Sequence, residues 1–599
     1  MNNVDAARVT GAEDVVWNLG DLYAGLDDPV LEKDLADASQ RADKLSEEYR
    51  GRVGQLDAEE LFDLIQTYES IVETAQKVGS FAYLDWSTET ENPKAGALLQ
   101  KVTEEGSRLN QKLVFVELEW ANAPEDKAKE LMAHPVLAHY QHWLELARRY
   151  RPHLLSEPEE KLLSEKAVTG REAWSRYFDE TLGATRFELD GQELPEQVVL
   201  SKLQQGDRGL RQRAAASMTA GLKTLSRTMT YVFNTLLADK ASDDRLRHYS
   251  SWISSRNLSN EVDDSVVEAL VEAVTSRYGA VARYYGLKKR LLGLDELFDY
   301  DRYAPLPNAD RFYQWSEARE IVLNAYGQFH PRMKEVAAQF FDQQWIDAAI
   351  KPGKRGGAYS HPVTPSTHPY VFMNYEGTPR EVMTLAHELG HGVHQWLSRD
   401  QGALQAGTPL TTAETASVFG EMLVFQDLIS RETDANARLA MLTQKIEDTF
   451  ATVFRQISLN RFEHTVHTAR RDEGELPTER FNELWLQTQR AMFGDSVTMT
   501  DDYGLWWSYI PHFVSVPGYV YAYSFGNLLV LALYARYQEM GSSFADHYLN
   551  MLSAGGTDWP HRMVKPLGVD LTDPQFWTQG LKIIDNMVTE AEELAEKAG

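Results

Sequence analysis

The chain has 599 residues, 43% of them hydrophobic and 25% charged, which is enough apolar material for a large core in more than one lobe. Its 60 basic and 89 acidic residues leave a formal charge of −29, and no basic stripe stands out, so nucleic acid is excluded as a partner. With no cysteine, disulfides and thiolate metal sites are excluded too, and any zinc must take His and carboxylate ligands.

An acidic field favours cationic or neutral substrates, although solvated helix faces account for most charge of this kind. Residues 1–20 lack a basic n-region and an apolar core, and no apolar run of about 18 residues occurs. The expectation is a soluble, cytoplasmic protein with no membrane partner.

In chain order, residues 1–30 read as an irregular lead-in, with Trp17, Leu19 and Leu22 free to dock on the body. Residues 30–150 read as helical. The clearest case follows Asp57, an N-cap paired with Glu60. Leu61, Leu64, Ile65, Tyr68, Ile71, Val72 and Ala75 then mark one apolar face. Ser156 and Glu159 start another helix. Residues 185–194 alternate in polarity around Asp190-Gly191, a tight-turn pair, and predict a small hairpin.

Long amphipathic helices return over 196–345, decorated by Tyr278, Tyr284, Tyr285, Trp315 and Tyr326 as core or groove-lining aromatics. Residues 351–357 form a glycine-rich loop, read equally as a hairpin loop or a substrate loop. Two short strands follow, at 358–360 and 370–375. A strand edge beside a metal-binding helix offers an extended peptide a place to pair. Helices continue to the end, and the last, behind Asp573-Pro574, carries Phe576, Trp577, Leu581, Ile584 and Met587. The expected division is an N-terminal helical region at 1–195 and a catalytic region at 196–599, with no internal repeat.

The chemistry concentrates at residues 378–394. Thr378 suits an N-cap, Pro379 the first helical position and Glu381 a capping box. Two turns on stand His387-Glu388-x-x-His391. Residues four apart share a helical face, so both imidazoles reach one ion. Glu388 is rotated by about 100° from His387, which suits a base rather than a ligand. Gly390 and Gly392 each cost about 1 kcal/mol relative to alanine in a helix, so another backbone or a substrate is expected to pass close by. His394 stands about 10 Å along the axis from His387, too far for one straight helix to bring all three histidines to one zinc. Leu397 occupies the position of the third metzincin histidine, which excludes that subclass.

The third ligand falls on a helix expected over residues 411–421. Glu414 and Glu421 share its face. Glu414 is favoured on spacing, but it also fits a capping box with Thr411, and Glu421 fits either a ligand or an acceptor that orients a ligand histidine. Over residues 511–526, His512 and the tyrosines 519, 521 and 523 are candidates to stabilise negative charge on a carbonyl oxygen. A helix there puts Tyr519 and Tyr523 on one face; a strand aligns all three with Tyr521. An aromatic core run fits the same residues.

The residues at 387–394 and 414–417, with His512 and Tyr519, Tyr521 and Tyr523, resemble the thimet-oligopeptidase family of zinc metallopeptidases. Within it, the chain is most similar to the oligoendopeptidase F branch, through residues 17–23 and the turn at 553–556 as well. The resemblance spans most of the chain. It implies a mainly α fold of two helical lobes flanking a deep substrate channel, with a small β-sheet near the zinc-binding helix. It implies one Zn2+ per chain on His387, His391 and Glu414, Glu388 as general base, and His512 with Tyr519 or Tyr523 as transition-state donors. The chain departs from the branch at Gly518, where an aromatic residue is expected; Tyr519 is favoured over Tyr523.

The implied activity is that of a zinc-dependent endopeptidase acting on internal bonds of oligopeptides. The alternatives are a zinc carboxypeptidase of similar helical fold and a non-catalytic peptide-binding protein. An intact Glu388 weighs against the second.

Overall fold

The structure is a computed structural model that describes residues 9–306 and 311–598; the first eight residues of the expected lead-in lie outside them. Helix makes up 72% of the chain and strand 3%, so the fold is mainly α with two small sheets. Among the described residues no helix is long and apolar enough to cross a membrane. The chain divides into two compact units, neither of them contiguous. The first is Met1–Arg151, Asp310–Ser430 and Leu533–Asp570; the second is Pro152–Ala309, Arg431–Ala532 and Leu571–Gly599.

In the first unit, the lead-in docks through both side chains and backbone. Trp17 and Leu22 are buried, and the Trp17 ring lies 5.7 Å from those of Tyr370 and Phe372. The Ala348 N–H donates to Val15 O, and Asn18 N–H to Gln344 O. The helix Ala58–Thr88 opens with the expected box, Glu60 N–H donating to Asp57 Oδ1 at 2.9 Å and Asp57 N–H to Glu60 Oε2 at 3.0 Å. Its face of Leu61, Leu64, Ile65 and Ile71 joins Trp120, Leu137 and Leu144 in one apolar cluster.

The sheet of this unit has the order β3 (Ile346–Asp347), β5 (Tyr370–Phe372) and β4 (Tyr359–His361). β3 runs parallel to β5 and β4 antiparallel to it. β3 was not predicted, because two residues leave no alternation to read. The expected strands shift by a residue or shorten: the first is 359–361 rather than 358–360, and the second stops at Phe372. Lys354, from the glycine-rich loop, is buried and donates to Asp347 Oδ1 at 2.6 Å and to three backbone carbonyls, so it ties the loop to the sheet.

The metal-motif helix, Pro379–Ser398, starts with the Thr378–Glu381 box, in which Thr378 N–H donates to Glu381 Oε2 at 2.8 Å. Both of its glycines meet a neighbour. A Cβ on Gly390 would stand 2.5 Å from Ala416 O and 2.6 Å from Ser417 Cα; one on Gly392 would press on the Phe340 ring at 2.6 Å. The first neighbour is backbone and has no rotamer to escape into. Gly390→Ala therefore costs about 1–3 kcal/mol of overpacking against at most about 1 kcal/mol of regained helix propensity. Thermal unfolding of Gly390→Ala is expected at a lower temperature than wild type; an unchanged or raised midpoint would show that the two helices separate freely.

In the second unit, the 39-residue helix Arg208–Leu246 forms the spine. The predicted hairpin is β1 (Phe187–Leu189) with β2 (Gln192–Leu194), paired Leu189↔Gln192 across Asp190 and Gly191. Both turn residues have positive φ, 53° and 82°, as a primed two-residue turn requires. Phe233, Phe481, Trp507, Phe462 and Phe513 form a connected aromatic core. The last helix, Phe576–Ala598, buries Trp577, Leu581 and Ile584.

Candidate metal centre and active site

His387, Glu388 and His391 lie in the third and fourth turns of the metal-motif helix. The two imidazole centroids are 5.0 Å apart. The helix expected over 411–421 is interrupted: a short helix Leu410–Ala413 ends at Glu414, and a second runs Thr415–Arg431. Glu414 sits at the break with ψ near 0°, and its carboxylate reaches both imidazoles. Its Oε2 lies 3.3 Å from His387 Nε2 and 3.5 Å from His391 Nε2, and it accepts from Ser417 Oγ at 2.7 Å.

These three residues form the one group of ligand atoms found within 4.8 Å of one another among the described residues. Ligands about 2.1 Å from a tetrahedral ion stand about 3.4 Å apart, so the observed spacings fit such an ion. The donor set, two nitrogens and a carboxylate oxygen, is also that of a catalytic zinc with a position left open. Glu421 stands on the far side of His387, with Oε2 3.4 Å from Nδ1. That is the place of an acceptor that fixes the tautomer and leaves Nε2 for the metal.

Electrostatics follow from this crowding. Burial opposes charge on Glu414, but the two imidazoles outweigh it and hold its carboxyl well below the usual range. Burial likewise opposes charge on His387, yet Glu414 and Glu421 push it up to about 10. The cluster thus presents a field that attracts a cation. Glu388 is only 7% exposed, and burial raises its pKa against the pull of the two imidazoles. It lies outside the three clustered ligand residues.

A cavity of about 580 Å³ lies beside His391, lined by His361, His394, Gln395, Ser398, Arg399 and Thr408 among others. His394 is outside the ligand cluster, as its axial distance predicts. Burial lowers both His394 and His361 to about 4, so both are neutral at pH 7. Arg399 lies flat on Trp396, 3.5 Å from the ring centroid. His361 and Arg399 were missed from sequence. The signal for His361 was the two-residue period of a short strand; Arg399 had none.

In the second unit, residues 511–526 are neither one helix nor a strand. A short helix His512–Ser515 leads into a turn at Gly518, and a new helix starts at Tyr521. His512, Tyr519 and Tyr523 cluster: the Tyr519 and Tyr523 centroids are 5.0 Å apart, His512 lies 6.0 Å from Tyr519, and Tyr523 Oη is 3.4 Å from His512 Nε2. Tyr521 points away, fully buried, and accepts from Asn260 Nδ2 at 2.9 Å. Burial and the Arg455 charge lower the His512 pKa, which favours its neutral form.

Residues 201–583 match Peptidase family M3, and residues 119–187 match the family described as Oligopeptidase F. The chain is 28% identical to oligopeptidase PepF of Bacillus subtilis, over 98% of this chain and 88% of that one. It is 26% identical to the group B oligopeptidase PepB of Streptococcus agalactiae, over 97% of each. Among solved structures, a peptidase from Chlamydophila abortus shares the fold with a TM-score of 0.87 at 24% identity, covering 98% of this chain and 100% of that one. Oligoendopeptidase-F from Enterococcus faecium shares it with a TM-score of 0.72 at 24% identity, covering 94% and 99%. With nearly two thirds of its length inside the first of these matches, and most of its length aligned to oligopeptidases, the chain belongs to peptidase family M3, in its oligoendopeptidase F branch.

Proposed function

We propose that this peptidase is a zinc-dependent endopeptidase of oligopeptides, with one ion held by His387, His391 and Glu414. The observation that carries this reading is that Glu414 Oε2 stands 3.3 and 3.5 Å from the two imidazole nitrogens, all three ligand atoms lying within 4.8 Å, with a buried carboxyl, Glu388, on the same helix as the histidines. When bound, zinc polarises the scissile carbonyl and lowers the pKa of a water toward ~7. Glu388 takes the water's proton and passes it to the leaving amine, the role its buried, raised carboxyl suits. His512, with Tyr519 and Tyr523, donates hydrogen bonds to the developing oxyanion.

The substrate backbone is positioned by the sheet. β4 is an edge strand, and Ser360 Oγ ties it to the metal-motif helix by donating to Gln395 Oε1 at 2.8 Å. An extended peptide adds to such an edge through main-chain hydrogen bonds, and the cavity beside His391 takes a side chain among neutral imidazoles. The test is metal content with cleavage of an internally quenched peptide, before and after chelation. The reading requires about one zinc per chain and chelator-sensitive internal cuts. Stepwise release of C-terminal residues would make the enzyme a carboxypeptidase instead. Bound zinc without cleavage would leave a peptide-binding protein.

A further inference from the structure

The turn that carries Tyr519 rests on a buried acid. Glu463 lies on the helix Phe454–Glu473, 2% exposed, and its Oε1 accepts the Gly518 N–H at 2.8 Å. Gly518 has φ +75°, and a Cβ there would lie 3.3–3.5 Å from Ile253, Arg256 and Trp252. A side chain at this position would be strained by the positive φ and would meet these neighbours closely. Tyr519 N–H donates to Val516 O at 3.1 Å, closing the turn over Gly518.

The other carboxyl oxygen of Glu463 is buried without a hydrogen-bond partner, and so is His467 Nδ1, one helical turn on. Both residues line a cavity of about 20 Å³ walled by Phe233, Phe513 and Pro517. That is room for one water, and two polar atoms are the fewest such a water needs. The His467 ring is fixed, stacked 4.7 Å from Trp252. A leucine would fill this wall at less cost than a carboxyl, which must be desolvated.

We propose that Glu463 is a positioning residue: it clamps the Gly518 N–H with one oxygen, reaches toward His467 Nδ1 through the small cavity with the other, and so sets Tyr519 beside His512 and Tyr523. This rests on the reading of those three as oxyanion donors. Burial raises the Glu463 pKa to about 8. The charged and titratable groups facing it are few. Arg256 is the charge that acts on Glu463, and it donates to Pro517 O at 3.4 Å; His467 is held neutral by burial first, with Lys240 of the long helix, Arg471 and His464 adding to the effect; the same long helix walls the cavity with Phe233, Leu236 and Leu237. A neutral acid both accepts and donates, and glutamine does the same.

The experiment compares zinc-loaded Glu463→Gln, Glu463→Leu, Tyr519→Phe and Tyr523→Phe in cleavage of an internally quenched peptide, with hydrogen exchange read over residues 514–520. Glu463→Leu is expected to lower kcat roughly 10–100-fold with KM little changed and to speed exchange at Gly518. Glu463→Gln is expected to stay near wild type in both. Should Glu463→Leu keep wild-type kcat while either tyrosine variant is impaired, the donors stand and the clamp is overturned. If both tyrosine variants keep wild-type kcat, the donor reading falls, and the clamp with it. Glu463→Gln impaired as badly as Glu463→Leu also overturns it.

Stability supplies a readout that needs no leucine variant. The contribution of a carboxyl raised from 4.5 to about 8 is fully present below the unfolded value and lost as pH rises through the folded one. The melting temperature of Glu463→Gln minus that of wild type should therefore grow between pH 5 and about 8 and level off above. A difference that is flat with pH overturns the neutral clamp.

Discussion

Glu388→Gln retains its metal and loses turnover by roughly 10²–10⁴-fold, the range a positioned general base contributes. The amide keeps the shape of the side chain, and none of the three clustered ligand atoms belongs to residue 388, so metal content is expected to match wild type. What changes is the ability to accept a proton. Burial already raises the Glu388 pKa, which makes the carboxylate a stronger proton acceptor. The measurement is kcat on an internally quenched peptide beside metal content by atomic absorption. A metal-loaded Glu388→Gln enzyme with near-normal turnover would move the base elsewhere.

The second large effect falls on the metal. Glu414→Ala removes the oxygen that stands 3.3 and 3.5 Å from the two imidazole nitrogens. Two histidines four residues apart remain, a bidentate site without negative charge. Metal is expected to be lost on dialysis and activity with it, restored only in part by excess zinc. Glu421→Gln supplies the contrast. It leaves His387, His391 and Glu414 in place and weakens the orientation of His387, and the loss of such a partner to a ligand histidine typically costs about 10–100-fold in affinity or activity. If Glu421→Gln releases the metal completely and Glu414→Ala does not, the third ligand is Glu421.

The difference between these glutamates shows where sequence reasoning runs out. The capped helix with His387, Glu388 and His391 is a local object: spacing and rotation follow from 3.6 residues per turn, and every atom that matters lies within four turns. Which carboxylate meets it depends on where the next helix breaks. Spacing favours Glu414 over Glu421, but both face one way on an unbroken helix, and both reach His387, Glu414 at Nε2 and Glu421 at Nδ1, so only the folded positions separate them. The tyrosines pose the same problem. Helix and strand give different alignments for 519, 521 and 523, and the chain adopts neither, because a left-handed Gly518 restarts the helix between them. The small hairpin was legible since its turn chemistry is written in two adjacent residues. Glu463 was not: an acid on a long helix reads as solvated until the walls around it are seen.

The discontinuity of the first unit bears on biosynthesis. Its last segment, Leu533–Asp570, packs against the helices on either side of Glu414. Tyr548 Oη donates to Thr415 O at 2.9 Å, Tyr534, Tyr537 and Phe544 pack on Phe419, and Gly556 N–H bonds to Gln405 O. A ribosome that has just translated Glu414 must add that segment before the site can be enclosed, a delay on the order of 10–30 s at common elongation rates. During that interval the nascent chain holds both histidines and the glutamate but lacks the segment that completes their unit, so the candidate site is enclosed only after residues 533–570 are made.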